Sequence, residues 1–253
     1  MNPVIISLIS ACCIFGGALF GMWLQNILPK HHRDKESQDA IKLGIGIIAT
    51  LTALVMGLLV SSAKSTFDTL NAGIVKASSN IIMLDRVLAH YGPEAQPIRA
   101  DLRSSVTATI DRLWPGQSTG GSVLASVEHA RNIEIIQEEL RDLKPQNDLQ
   151  RQSLAEAEQI TGQILETRWL LIEEAHNQLP IPFLIVLVFW LTLIFISFGL
   201  FAPRHATVLA VMFGSALSMA AAIFLIQELD RPLDGIVRLS SAPMRDALAQ
   251  LGQ

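Results

Sequence analysis

The sequence predicts an all-α, polytopic membrane protein with four transmembrane helices and a helical soluble bundle inserted between the second and the third. Half of its 253 residues are hydrophobic and 17% are charged, whereas a typical soluble domain carries roughly 25% charged residues. The charges are also segregated, because no Asp, Glu, Lys or Arg occurs in four stretches, 1–29, 43–63, 175–203 and 205–227. A soluble surface must be solvated along the whole chain, so this pattern excludes an ordinary soluble enzyme and a disordered protein.

Each charge-free stretch is long enough to cross a lipid bilayer, which is therefore an expected partner. A hydrocarbon core of ~30 Å needs about 20 apolar residues in a helix. Residues 1–29 lack a basic n-region and a small-x-small site after the apolar stretch, so they predict a span rather than a signal peptide. The predicted spans are 4–28, 43–63, 180–202 and 206–226.

Four spans place both termini on the same side of the membrane. The predicted organisation is transmembrane helices 1 and 2 in 1–63, a soluble helical bundle in 64–179, transmembrane helices 3 and 4 in 180–227, and a C-terminal tail in 228–253 that packs on the bundle. Lys and Arg near the span ends are almost equally numerous on the two sides, so the positive-inside rule leaves the orientation open.

The inserted segment shows helical periodicity from its first residues. Apolar side chains recur at alternating steps of three and four from Phe67 to Tyr91, which is a heptad pattern. No proline interrupts 41–91, so the second span is expected to continue as one long helix that Gly92 and Pro93 end. Three further helices are expected before Pro180, and the last carries the apolar residues Leu154, Ile160, Ile164, Trp169 and Leu171.

No motif in the sequence indicates catalysis or cofactor binding. The phosphate-binding, zinc-protease and nucleophile-elbow patterns are absent, and the net charge of −4 without a strongly basic segment argues against nucleic acid as a partner. The two cysteines, Cys12 and Cys13, are adjacent inside the first span and match no metal-ligand spacing. We therefore expect no enzyme activity, no catalytic residues, no metal site and no cofactor.

Charged residues cluster just beyond the second and fourth spans, and the topology places both groups at one membrane level. They form either the charged mouth of an ion pathway or a salt-bridge collar that fixes the helix ends. The candidate mouth residues are Lys64, Asp68, Glu228, Asp230, Arg231 and Asp234.

The second span carries two distinct faces. The first is made of small residues at steps of three and four, and it serves either close helix packing or the lining of a pore. The second is bulky, with Leu51, Val55 and Leu59, and it faces lipid or forms a hydrophobic gate. The small-residue face consists of Gly46, Thr50, Ala53, Gly57 and Ser61.

These features resemble the bestrophins, and most closely a group of bacterial bestrophin-like membrane proteins. The order of the spans matches, with two, a helical insert, two more and a tail. The second span leaves the membrane through small polar residues that end in Phe67 and Asp68, and the fourth ends in an acidic stretch, 228–235, that closes on Pro and Gly. The resemblance implies a pentameric channel for inorganic anions or cations, with both termini and 64–179 in the cytoplasm.

The resemblance also implies that the second span lines the pore and contains a neck with a four-residue spacing. Alignment on Phe67 and Asp68 places the neck at Ala53, Gly57 and Ser61, and a shift of two residues places it at Leu51, Val55 and Leu59. No dense Asp run follows the fourth span, so calcium gating is not expected.

Two functional hypotheses follow from the sequence and the resemblance. The first is a homo-oligomeric ion channel of a bacterial plasma membrane whose pore is lined by Thr50, Ala53, Gly57 and Ser61. The second is a non-conducting membrane scaffold or sensor whose helical domain binds a partner.

Overall fold

The computed structural model describes residues 2–28, 35–114, 127–176, 180–232 and 235–252, with the backbone alone for 35–37, 127–132 and 176. In this part of the chain every regular element is a helix, which confirms the prediction of an all-α protein with four long apolar helices. A short 3-10 helix, Pro93–Ala95, precedes α3. The helices are α1 (Pro3–Ile27), α2 (Lys35–Tyr91), α3 (Gln96–Leu113), α4 (Val127–Asp142), α5 (Asp148–His176), α6 (Ile181–Phe201), α7 (Ala206–Leu229) and α8 (Ala242–Gln250).

Four helices are long and apolar enough to cross a membrane, with mean hydropathies of 2.3 to 2.7 over their best segments. They are α1, α2, α6 and α7, at the places that the charge-free stretches predict. Asn2 caps the N-terminus of α1, and its side-chain oxygen accepts a hydrogen bond from the Val4 amide at 3.0 Å. Helix α6 begins after Pro180 and has Pro182 in its first turn, where a missing amide proton costs nothing.

The chain divides into two compact units, and the first comprises Met1–Ser65 and Gln178–Asp230. Its core joins apolar side chains of α1, α2, α6 and α7. Helices α1 and α6 approach closely because glycines lie at their contact. A Cβ atom on Gly21 would lie 2.0 Å from the Ile196 carbonyl oxygen, and one on Gly199 would lie 2.1 Å from the Ala18 carbonyl oxygen.

The second unit comprises Thr66–Asn177 and Arg231–Gln253. Its core contains buried side chains of α2, α3, α4, α5 and the segment 235–252. The part of α2 in this core carries the heptad residues that the sequence indicates, because six of the eight are buried there. Those six are Leu70, Ile74, Ile81, Leu84, Leu88 and Tyr91.

Trp169 does not share the buried face of α5, because its side chain is 58% exposed within the chain. Ile160 and Ile164 are buried as expected. A step of five residues from Ile164 rotates Trp169 well away from the line that steps of three and four maintain.

Helix α2 is continuous over 57 residues, as the absence of proline predicts, which corresponds to about 85 Å. It ends at Gly92, whose φ of 128° is accessible to glycine at little cost. The side-chain amide of Gln150 donates to the Tyr91 carbonyl at 3.0 Å and so satisfies one of the carbonyl groups that the helix end leaves open.

Polar as well as apolar contacts hold the C-terminal segment within the second unit. Leu239, Met244 and Leu251 are buried in the core. The Trp114 indole nitrogen donates to the Leu239 carbonyl at 2.8 Å, and the Gly252 amide donates to the Asp85 carboxylate at 3.1 Å.

Candidate pore face

The part of α2 in the first unit has one face turned toward the core of that unit. Leu59 and Ala63 belong to this core, and Val55 and Met56 pack against it. Thr52 lies on the same face, and its buried hydroxyl donates to the Ile48 carbonyl at 2.7 Å, so the polar group is satisfied within the helix.

The small-residue face lies on the other side of the same helix. At about 100° per residue, its centre is roughly 150° around the helix axis from the centre of the core face. All five residues are exposed within this chain. The Thr50 hydroxyl donates to the Gly46 carbonyl at 2.9 Å, so its oxygen keeps acceptor capacity on an exposed surface.

The glycines of this face have a different environment from those between α1 and α6. A Cβ atom built on Gly46 or Gly57 would have no atom within 4 Å beyond the neighbouring backbone of its own helix. Their small size is therefore not required by a neighbour among the described residues, whereas that of Gly21 and Gly199 is. Close packing among the described residues therefore does not explain why Gly46 and Gly57 are small.

The bulky face of the second span, Leu51, Val55 and Leu59, is not exposed along its whole length. Leu51 is 43% exposed, Val55 packs against the core of the first unit, and Leu59 is only 6% exposed within that core. Three residues at four-residue steps rotate by about 40° per step, and this rotation carries the line into the core.

Lys64 and Asp68 are exposed and continue the line of the small-residue face at steps of three and four beyond Ser61. Glu228 is 3% exposed near the end of α7, and Asp230 and Arg231 follow it half-buried. All five have interaction partners, as the burial of a carboxylate such as that of Glu228 demands. Asp234 lies outside the described residues.

These mouth residues are divided between the two units. Lys64, Glu228 and Asp230 belong to the first, and Asp68 and Arg231 to the second. Their assembly into one charged mouth therefore stays a prediction. Within the part of the chain that the structure describes, no group of three or more His, Cys, Asp or Glu side chains is arranged to hold a metal ion.

Comparison with known proteins gives two positive results. The family model described as Bestrophin-like domain matches residues 12–244. The crystal structure of a bacterial bestrophin homolog from Klebsiella pneumoniae, which carries one mutation, superposes with a TM-score of 0.67 at 14% sequence identity, over 100% of this chain and 100% of that chain. At this identity the superposition shows the fold. No curated protein matches the sequence.

Proposed function

This chain belongs to the bestrophin-like family, and from that premise we propose that it is a homo-oligomeric ion channel in which α2 lines a central pore. Bestrophins are in general ion channels rather than enzymes. The proposed pore-lining residues are Thr50, Ala53, Gly57 and Ser61.

The observation that carries the proposal is the exposure of the small-residue face opposite the core face of α2. Among the described residues, no neighbour requires Gly46 or Gly57 to be small. Small side chains do leave backbone carbonyl groups and hydroxyls such as that of Thr50 accessible. Water and hydrated ions interact favourably with such a surface, whereas a bulky apolar line dewets. The burial of Leu59 favours this face over the line of Leu51, Val55 and Leu59.

One chain supplies a single α2, and a closed pore needs several copies of it around an axis. The channel is therefore homo-oligomeric, with five subunits on the family pattern. We place it in a bacterial plasma membrane as a multi-pass protein, with both termini and 64–179 in the cytoplasm. The charges from Lys64 to Asp68 and from Glu228 to Asp234 then lie at the cytoplasmic mouth.

The proposal is tested by reconstituting the purified protein in a planar bilayer and recording current in a series of salts. Gly57→Leu is expected to reduce the single-channel conductance severalfold, because four added carbon atoms project from the proposed pore face. Gly44→Leu is the matched control, since Gly44 also has open space beyond its α-carbon but lies on another face of α2. Its conductance should stay at the wild-type value.

Two outcomes contradict the proposal. Absence of current across all salts and pH values favours the non-conducting scaffold or sensor. Equal effects of the two leucine substitutions would show that the small-residue face does not line the pore.

A further inference from the structure

The second unit contains a cavity of about 170 Å³ that the ion-conduction proposal does not use. Helices α2, α3, α4 and α5 and the C-terminal segment all contribute to its lining, which is almost entirely apolar. Ala77 of α2, Ile164 of α5 and Met244 of α8 are representative lining residues. An apolar cavity of about 150 Å³ is large enough to accept a six-carbon hydrocarbon such as benzene. This cavity therefore suits an apolar body of about six carbons.

Two of the polar side chains at the cavity donate hydrogen bonds to backbone carbonyl groups, and two others are cationic. The Thr109 hydroxyl donates to the Ser105 carbonyl at 2.8 Å, and the Trp114 indole nitrogen donates to the Leu239 carbonyl at 2.8 Å. These two groups therefore offer a ligand mainly apolar surface.

Two arginines, Arg112 and Arg168, also line the cavity. Because the lining is almost wholly apolar, these side chains contribute mainly methylene groups to it, and both have interaction partners. Burial lowers the pKa of the Arg168 guanidinium, and the nearby charge of Glu134 raises it. The guanidinium stays protonated at physiological pH, so a cation lies beside an apolar space.

We propose that this cavity binds a small amphipathic carboxylate, with an alkyl body of about six carbons inside and the carboxylate paired with Arg168. The planar guanidinium donates two parallel hydrogen bonds to a carboxylate, which makes this head group the matching one. The cavity is too small to enclose the full acyl chain of a membrane lipid, so a short-chain ligand fits it best.

The direct test is isothermal titration calorimetry of the full-length protein in lipid nanodiscs, with hexanoate as the probe. Binding should be saturable. From butanoate to hexanoate the affinity should rise about fifteenfold, since each buried methylene contributes about a factor of four. Octanoate should bring no comparable gain, because the cavity is then full. 1-Hexanol, which lacks the charge, should bind at least about tenfold more weakly than hexanoate.

Variants separate the head-group contact from the apolar body. Arg168→Gln should weaken hexanoate at least fivefold, whereas Arg151→Gln, at an exposed pair with Asp148, should not change it. Glu134→Gln should strengthen hexanoate, because it removes the carboxylate that competes for Arg168.

Ala77→Met fills the cavity and should abolish binding, whereas Ala72→Met on the exposed side of α2 should leave it intact. Three results overturn the proposal: no saturable binding of hexanoate to the wild type, equal affinity for hexanoate and 1-hexanol, or unchanged binding in a folded Ala77→Met protein. The comparison with 1-hexanol uses the wild type alone, so it decides even where a variant fails to fold.

Discussion

The ion pair between Asp85 and Arg99 joins α2 to α3 inside the second unit. The Arg99 Nε and Nη2 atoms donate to the two Asp85 carboxylate oxygens at 2.7 and 2.8 Å, and the Gly252 amide donates to the same carboxylate at 3.1 Å. Asp85 is only 1% exposed, and the Arg99 side chain is 12% exposed. Removal of either partner leaves the other charge buried without its counter-ion.

The cost of that removal follows from the burial. Deleting one member of a buried ion pair destabilises a protein by about 3–5 kcal/mol. We predict this loss for Asp85→Ala and for Arg99→Ala, and at about 2–4 °C per kcal/mol it lowers the Tm by about 6–20 °C. The double substitution Asp85→Leu with Arg99→Met leaves no buried charge, so it should cost far less than the sum of the single losses.

The assay is thermal unfolding of the detergent-solubilised protein, followed by circular dichroism. Asp148→Ala is the control, since it breaks the ion pair with Arg151 on an exposed surface and should change the Tm by no more than about 2 °C. If Asp85→Ala unfolds within 2 °C of the wild type, or if the single losses simply add in the double variant, the pair does not stabilise the second unit as argued.

The pH dependence of the same pair has a definite sign. Burial raises the pKa of the Asp85 carboxyl, but the hydrogen bonds from Arg99 and from the Gly252 amide outweigh it, and the pKa lies below its usual value. The stabilisation is therefore present above the unfolded pKa of about 3.9 and is lost as the pH falls through the folded pKa. The difference in Tm between the wild type and Asp85→Ala should be constant from pH 5 to 8 and shrink below about pH 4.

Two further predictions concern other contacts. Burial raises the pKa of Glu139, and the charge of Asp101 and a hydrogen bond with it add to the shift. The ionised form of Glu139 is therefore unfavourable in the folded state, and stability is lost as the pH rises through the folded pKa. Glu139→Gln should therefore raise the Tm at pH 8 by about 2–4 °C, for a gain of about 1 kcal/mol, with no gain at pH 4; a uniform shift would refute this. Gly21→Ala and Gly199→Ala should each lower the free energy of unfolding by about 1–3 kcal/mol, because the added methyl group overlaps the facing helix of the α1–α6 pair. Gly16→Ala is the control, since Gly16 has open space around its α-carbon and the substitution should not destabilise the protein. Equal melting temperatures for all three variants would contradict the close approach of these helices.

The spans were predictable because the bilayer imposes a simple rule on the sequence. Charged side chains are costly in hydrocarbon, so they mark the ends of membrane helices within a few residues. The predicted fourth span, 206–226, corresponds to Ala206–Leu229, and the predicted third span, 180–202, corresponds to Ile181–Phe201. The family resemblance is confirmed by a match that covers residues 12–244.

The choice of face on α2 was not predictable in the same way. Periodicity indicated two lines of residues, one through Gly57 and one through Leu59, and either one satisfied the spacing. Only packing against α1, α6 and α7 distinguishes them, since it buries Leu59 and leaves Gly57 open. The information lies in packing between helices that are distant from one another in the sequence.

Asp85 and the cavity illustrate what local pattern leaves out. Asp85 follows the heptad residue Leu84, a position that usually indicates a solvated charge. Its burial depends on Arg99, which the turn at Gly92 brings back alongside α2, and on the amide of Gly252. The cavity likewise requires four helices and the C-terminal segment together, and no single helix contains a signal for it.

The most direct test of the central claim is chemical block of the current at Ala53. In a background of Cys12→Ala and Cys13→Ala, which removes both native cysteines, Ala53→Cys is reconstituted in a planar bilayer and exposed to a negatively charged, membrane-impermeant methanethiosulfonate. Because Ala53 lies on the small-residue face, the current should fall irreversibly by more than half. Leu58→Cys, exposed on a different face of α2, should conduct as before. Block at position 58 with none at position 53 would contradict the assignment of this face to the pore.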